Sequence, residues 1–137
     1  MNHILRFIDT GYWHALVDRQ DGHHARAVRL SHSLTGPFIT TEAVLTELGN
    51  GLAGSRWRAW SVQLLDDIVS SDSIDVVTVT ADLFQRALAL YTSRPDKEWG
   101  LTDCISFVVM RDRGIAEALA ADQHFVQAGF RALLREP

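Results

Sequence analysis

Two alternating rhythms run along the chain. Short apolar runs at Ile4 to Ile8, Phe38 to Thr41, Ile74 to Val79 and Ala118 to Ala121 have the length of buried strands, and Ile74 to Val79 is rich in β-branched residues. Between them, apolar residues recur at helical spacing. Gly11 to Val17 predicts a short helix, and His23 to Leu34 a longer one with Ala27, Leu30 and Leu34 on one face. Glu42 to Leu52 carries Val44, Leu45, Leu48 and Leu52. Trp57 to Val69 carries Trp57, Trp60, Leu64 and Ile68. Ala81 to Tyr91 turns Leu83, Ala87, Leu90 and Tyr91 inward. Thr102 is placed to cap a helix over Asp103 to Arg113, which Gly114 ends. Phe130 to Leu134 reads as a last edge strand. Gly36-Pro37 marks a turn.

Strands that alternate with helices predict an α/β fold. The expectation is three layers: a central, mainly parallel sheet of four to five strands with helices on both faces. A length of 137 residues suits one domain, 1–137, with a core of its own. No repeat, linker or low-complexity tract divides it.

Charge and composition narrow the function. A formal net charge of −4 does not suggest a general nucleic-acid binder, which is usually basic. The cations are nonetheless twelve arginines against the single Lys97. Arginine suits bidentate phosphate contacts, although such a bias also follows from genome base composition. The single cysteine, Cys104, allows no internal disulfide. The opening MNHILRF lacks the pattern of a signal peptide, and no window is apolar enough to span a membrane. A cytoplasmic protein is expected.

The candidate chemistry lies in the acids. In open α/β sheets, function gathers at the carboxyl ends of the strands. Asp9 ends the first strand, Asp122 follows Ala118 to Ala121, and Asp103 begins a helix whose N-terminus faces the same edge. Glu47 lies about one and a half turns into the helix after the second strand. Glu42, five residues earlier, is about 500° of rotation away at 3.6 residues per turn, so the two point in different directions. Leu45, Leu48 and Leu52 flank Glu47 and suggest that it leans toward the protein, while Glu42 suits the first helical turn. Converging carboxylates repel one another unless a counter-charge is present, and no lysine or histidine adjoins Asp9, Glu47 or Asp103 in sequence. A divalent cation resolves the conflict, and all-oxygen ligands favour Mg²⁺ or Mn²⁺ over zinc. Such a site can activate water for in-line displacement at phosphorus. Any one of these acids alone would more simply be a cap or a solvated residue.

Four stretches together resemble the PIN domain, and within it the VapC-type toxins of bacterial toxin–antitoxin pairs. FIDTGYWHALVDRQDGHHARA resembles the first motif through Phe7, Ile8, Asp9 and Thr10. ITTEAVLTELGNGL resembles the second through Thr41 and Glu47, LTDCISFVVMRDRGI the third through Asp103, and ALAADQHFVQAGF the fourth through Asp122 and Phe125. The resemblance implies a parallel sheet flanked by helices and a Mg²⁺- or Mn²⁺-dependent ribonuclease that cuts single-stranded or loop RNA. It implies Asp9, Glu47, Asp103 and Asp122 as catalytic and metal-binding residues, a protein antitoxin, and a homodimer. It also implies an apolar groove for the antitoxin near the acids, with Trp13 and the Trp57 helix as its walls. Ala120 stands where many relatives carry Thr or Ser, which removes a hydroxyl near the fourth acid, and Thr10 offers a hydroxyl beside the first.

Other readings carry less. His14, His23, His24 and His32 match no zinc spacing, and no glycine-rich phosphate loop occurs. Cys104, beside Asp103 at a helix start, has a setting that can lower a thiol pKa but no evident base, and reads as a small buried residue. Arg56 and Arg58 suit an acidic partner or RNA phosphates equally. The alternatives to a toxin nuclease are a PIN-like module that binds RNA or protein without cutting, and a housekeeping RNA-processing nuclease without an antitoxin. A phosphotransfer domain with Asp9 as nucleophile lacks the partner groups for covalent chemistry.

Overall fold

The computed structural model describes residues 4–137. In chain order the elements are β1 (Arg6–Ile8), α1 (Thr10–Val17), α2 (His24–Ser33), β2 (Phe38–Thr41), α3 (Glu42–Gly51), α4 (Arg58–Ser70), β3 (Ile74–Val77), α5 (Ala81–Ser93), α6 (Leu101–Asp112), β4 (Glu117–Leu119), α7 (Gln123–Gln127) and β5 (Arg131–Ala132). A 3₁₀ turn, Leu133–Arg135, closes the series.

The five strands form one sheet in the order β3-β2-β1-β4-β5, and every pairing is parallel. The chain leaves β1 toward β2 and β3, then returns to the other side of β1 to lay down β4 and β5. β1 and β4 therefore flank the point where strand order reverses, the position at which parallel sheets open a crevice. Their register, Phe7 against Ala118 and Ile8 against Leu119, sets the two chain exits side by side.

Helix α6 is the dense centre. Seven successive residues, Cys104 to Met110, are buried, as a helix enclosed on all sides requires. Phe107 has no exposed surface and packs edge-on to Trp99 at 5.1 Å and Phe125 at 5.0 Å between centroids. Arg86 of α5 grips Asp112 with two N–H···O bonds of 2.6 and 2.7 Å at the helix's far end. Gly114 ends it at φ 64°, with Ile115 N–H returning to the Met110 carbonyl and Gly114 N–H to that of Arg111.

Several expectations need correction. Gly100, not Thr102, caps α6, because the Asp103 carboxylate reaches back to the Gly100 N–H at 3.0 Å, and the helix starts two residues earlier than expected. β3 stops at Val77, and the Val79 N–H turns to Glu42 Oε1 at 2.8 Å. Trp60 is 54% and Tyr91 49% exposed: the inward seams run through Ser61 and Ile68 on α4 and through Leu83 and Ala87 on α5. Between β4 and the last strand lies the short helix α7. The last strand shortens to Arg131–Ala132, since the Leu134 N–H bends back to the Ala120 carbonyl at 3.2 Å.

The aromatic cluster around Phe107 is expected to hold α6, and with it Asp103, in place. Phe107→Ala should cost about 3–5 kcal/mol by opening a cavity that edge-stacked rings cannot fill. Urea unfolding checks this; an unchanged midpoint would exclude α6 as the keystone of the core.

Candidate functional site

Asp9 leaves β1 with its N–H on the Leu119 carbonyl at 3.1 Å, so its side chain emerges at the crevice between β1 and β4. It is 7% exposed. Burial, first, and then the charges of Asp103, Glu47 and Asp122 push its carboxyl up to about 8, against a pull downward from the Thr10 backbone N–H. All four acids thus share one electrostatic neighbourhood.

Each of the other three is positioned by its own partners. Asp103, in the first turn of α6, accepts at Oδ2 from the Gly100 N–H at 3.0 Å and lies 3.0 Å from His124 Nδ1. Burial raises its pKa, and those two contacts oppose the rise. Asp122 caps α7, its Oδ1 accepting from the His124 N–H at 2.9 Å, while its Oδ2 lies 3.2 Å from His124 Nδ1. Glu47 Oε1 accepts from the Thr10 hydroxyl at 2.8 Å. Asp9, Thr10, His14, Glu47, Ala121 and Asp122 line an open cleft of about 390 Å³.

His124 went unseen in the sequence. A proton on Nδ1 lets its ring bridge the carboxylates of Asp103 and Asp122. Asp103, Asp122 and His124 each offer a possible ligand atom within 4.8 Å of the other two, which places an imidazole beside the acids that the sequence singled out. The local signal was Asp122-Gln123-His124, a cap followed two residues later by an imidazole. The contact to Asp103, 21 residues away, has no local signature. His14, whose Nδ1 lies 2.9 Å from Asp21 Oδ2, adds a second imidazole to the cleft wall.

Two further readings change, those of Glu47 and Trp13, and two stand, those of Glu42 and Cys104. Glu47 is exposed rather than leaning into the protein, because the buried stripe of α3 is Val44, Leu45 and Leu48 and Glu47 sits at its edge. Glu42 is likewise exposed and binds the Val79 N–H outside the acid cluster. Burial pushes the Cys104 thiol up, with Asp103 adding to the rise, so the helix start does not activate it. Trp13 is 5% exposed and belongs to the core, not to a groove wall.

The PIN-domain sequence pattern matches residues 6–131. The chain belongs to the PIN-domain family of nucleases. It is 35% identical, over 127 residues, to the 23S rRNA-specific endonuclease VapC20 of Mycobacterium tuberculosis in strains CDC 1551 and H37Rv; the match covers 90% of this chain and 94% of that protein. The crystal structure of M. tuberculosis VapC20, described as a sarcin–ricin loop cleaving toxin, superposes with a TM-score of 0.86 at 33% identity, over 93% of this chain and 97% of that one. The structure of VapBC2 from Rickettsia felis bound to a promoter DNA fragment shares the fold, with a TM-score of 0.64 at 14% identity over 93% and 96% of the two chains. Among the described residues no helix is long and apolar enough to cross a membrane.

A divalent cation fits what these residues present. A carboxyl pushed up to about 8, first by burial and then by three neighbouring acids, marks a place where negative charge wants a counter-ion. The pH dependence has a definite sign. Between the ordinary value of 3.8 and about 8, folded Asp9 holds a proton that the unfolded chain lacks. Stability of the metal-free protein should therefore fall as pH rises across that window and level off above it, by roughly 2–5 kcal/mol in all. Asp9→Asn should be more stable than wild type at pH 8.5 in EDTA and lose this part of the slope. Urea unfolding at pH 5 and 8.5 reads both; parallel profiles would disprove the burden on Asp9.

His124→Gln should loosen both carboxylates it bridges and weaken divalent-metal affinity about 10–100-fold. Calorimetry with Mn²⁺ checks this, and an unchanged affinity would reduce the imidazole to packing.

Proposed function

We propose that the chain is a divalent-metal-dependent endoribonuclease, the toxin of a toxin–antitoxin pair, acting in the cytoplasm on the sarcin–ricin loop of 23S rRNA. In this reading Asp9, Glu47, Asp103 and Asp122 are the catalytic residues and hold Mg²⁺ or Mn²⁺. The observation that carries it is the buried Asp9 carboxyl, raised to about 8 in the company of three other acids. Similarity to VapC20 over nearly the whole chain supports the substrate.

When bound, the cation neutralises the carboxylates and, as a Lewis acid, stabilises charge developing at phosphorus. This chain's own residues do the positioning. Thr10 fixes the Glu47 carboxylate by its hydroxyl. His124 and the Gly100 N–H fix Asp103, and the α7 backbone fixes Asp122. The open cleft admits a looped-out strand. Exposed apolar side chains remain for a protein antitoxin and a second copy of the chain: Phe84, Leu88 and Tyr91 along one face of α5, and Trp60 and Val69 on α4.

An RNA hairpin carrying the 23S sarcin–ricin loop should be cut in Mg²⁺ or Mn²⁺ and left intact in EDTA. Asp9→Asn and Asp103→Asn should each lower the rate at least about 100-fold, the scale of losing one preorganised group that stabilises developing charge. Wild-type cleavage by either variant under matched metal would refute the assignment.

A further inference from the structure

The cleft described above is lined by carboxylates, and its substrate is a polyanion. Four carboxylates against one divalent cation leave a net negative charge if all are ionised. A further positive charge at the rim would meet the RNA backbone, and Arg135 stands there.

The 3₁₀ turn Leu133–Arg135 lies against the site and is stapled there. Arg26 of α2 donates from Nε to the Leu133 carbonyl at 3.2 Å. His23 Nδ1 lies 3.1 Å from the Leu134 carbonyl oxygen. The Leu134 N–H returns to Ala120. Leu133 and Leu134 are themselves buried, so the turn is fixed from both sides. It delivers Arg135, whose Nη1 donates to the Ala121 carbonyl at 3.2 Å. Ala121 is a wall of the acid cleft, and its carbonyl immediately precedes Asp122.

The guanidinium is thus tethered by one bond beside the site. Four of its five N–H donors remain. Arg131, four residues earlier, is consumed by Glu117 and Glu136, whereas no ion pair holds Arg135 among the described residues. An exposed arginine that is held in place, uncompensated, and next to a cluster of acids is disposed for an anion rather than for internal stability. Its planar fork matches two oxygens of a phosphodiester.

We propose that Arg135 is a substrate-positioning residue: it grips an RNA backbone phosphate at the mouth of the cleft and so draws the strand across the four acids. This rests on the nuclease reading above, and it adds the residue that overcomes the repulsion between that site and its substrate. The contact carries no sequence information; it fixes register.

The test uses a fluorescein-labelled sarcin–ricin hairpin. Its affinity is measured by anisotropy in EDTA from 50 to 200 mM KCl, and its cleavage in Mn²⁺. Arg135→Ala should raise Kd and KM roughly tenfold, as loss of a charged hydrogen bond does at the lower end, with kcat within about twofold. The slope of log Kd against log salt should shrink by about one. Arg135→Lys should keep the slope and recover part of the affinity. Arg111→Gln, eight residues beyond Asp103 and so about 12 Å along α6, should behave as wild type.

Three results would overturn the proposal: unchanged Kd and slope in Arg135→Ala, an equal loss in Arg111→Gln, or a loss in both Arg135 variants that follows a lower Tm and weaker Mn²⁺ binding. The last would make Arg135 only a brace for Ala121. Failure of wild type to cut the hairpin, with the binding pattern intact, would reject the nuclease reading and keep the phosphate contact. Cutting by wild type with binding unaltered in Arg135→Ala would do the reverse. No binding by wild type at 50 mM salt would reject both.

Discussion

Everything at the functional edge follows from one expensive placement: a carboxyl at the end of the central strand, out of water and facing three more acids. The topology makes this placement. Because β4 returns to the opposite side of β1, the end of β1 opens into a crevice instead of being roofed by its own crossover. Leu119 takes the Asp9 backbone N–H, so the side chain cannot retreat to solvent without breaking the β1–β4 ladder. A buried carboxylate without a partner costs far more than a hydrogen bond returns, and a proton or a cation must settle the difference.

The rest of the molecule can be seen as the scaffold that tolerates that cost. The rings of Trp99, Phe107 and Phe125 lock α6 against the sheet, and α6 presents Asp103 from its first turn. Phe125 belongs to the short helix that Asp122 caps, so one aromatic cluster fixes two acids. Close packing transmits position faithfully because a dense core has few alternative arrangements. The stapled C-terminal turn uses the same logic with polar atoms: three backbone carbonyls, those of Ala121, Leu133 and Leu134, each meet a basic side chain.

What the sequence revealed follows from where its signals are local. Asp9, Asp103 and Asp122 stand at strand ends and helix starts, boundaries that periodicity and capping chemistry mark directly. The parallel sheet followed from the same alternation. Glu47 was found by motif but misplaced in environment. Neighbouring leucines define a buried stripe without saying on which side of its edge a residue falls, and a step of about 100° per residue decides it. Trp60 and Tyr91 failed for the same reason. His124 was invisible because its contact with Asp103 is made by folding alone. The cap of α6 was misassigned to a hydroxyl because Thr102 has the right side chain, yet the Asp103 carboxylate satisfies Gly100 first.

The partners of the four acids also divide the labour among them. Asp103 and Asp122 each have a backbone N–H donor on one oxygen, and these bonds hold the carboxylates in place. Glu47 is exposed and needs only the Thr10 hydroxyl to orient it. Asp9 has burial against it and three like charges around it, and it alone rises to about 8. A divalent cation held by these four carboxylates would offset the repulsion that helps to raise Asp9. Metal binding there would offset the stability that burying Asp9 costs. Ordering the site in advance keeps the acids from turning toward solvent, where their mutual repulsion would otherwise send them.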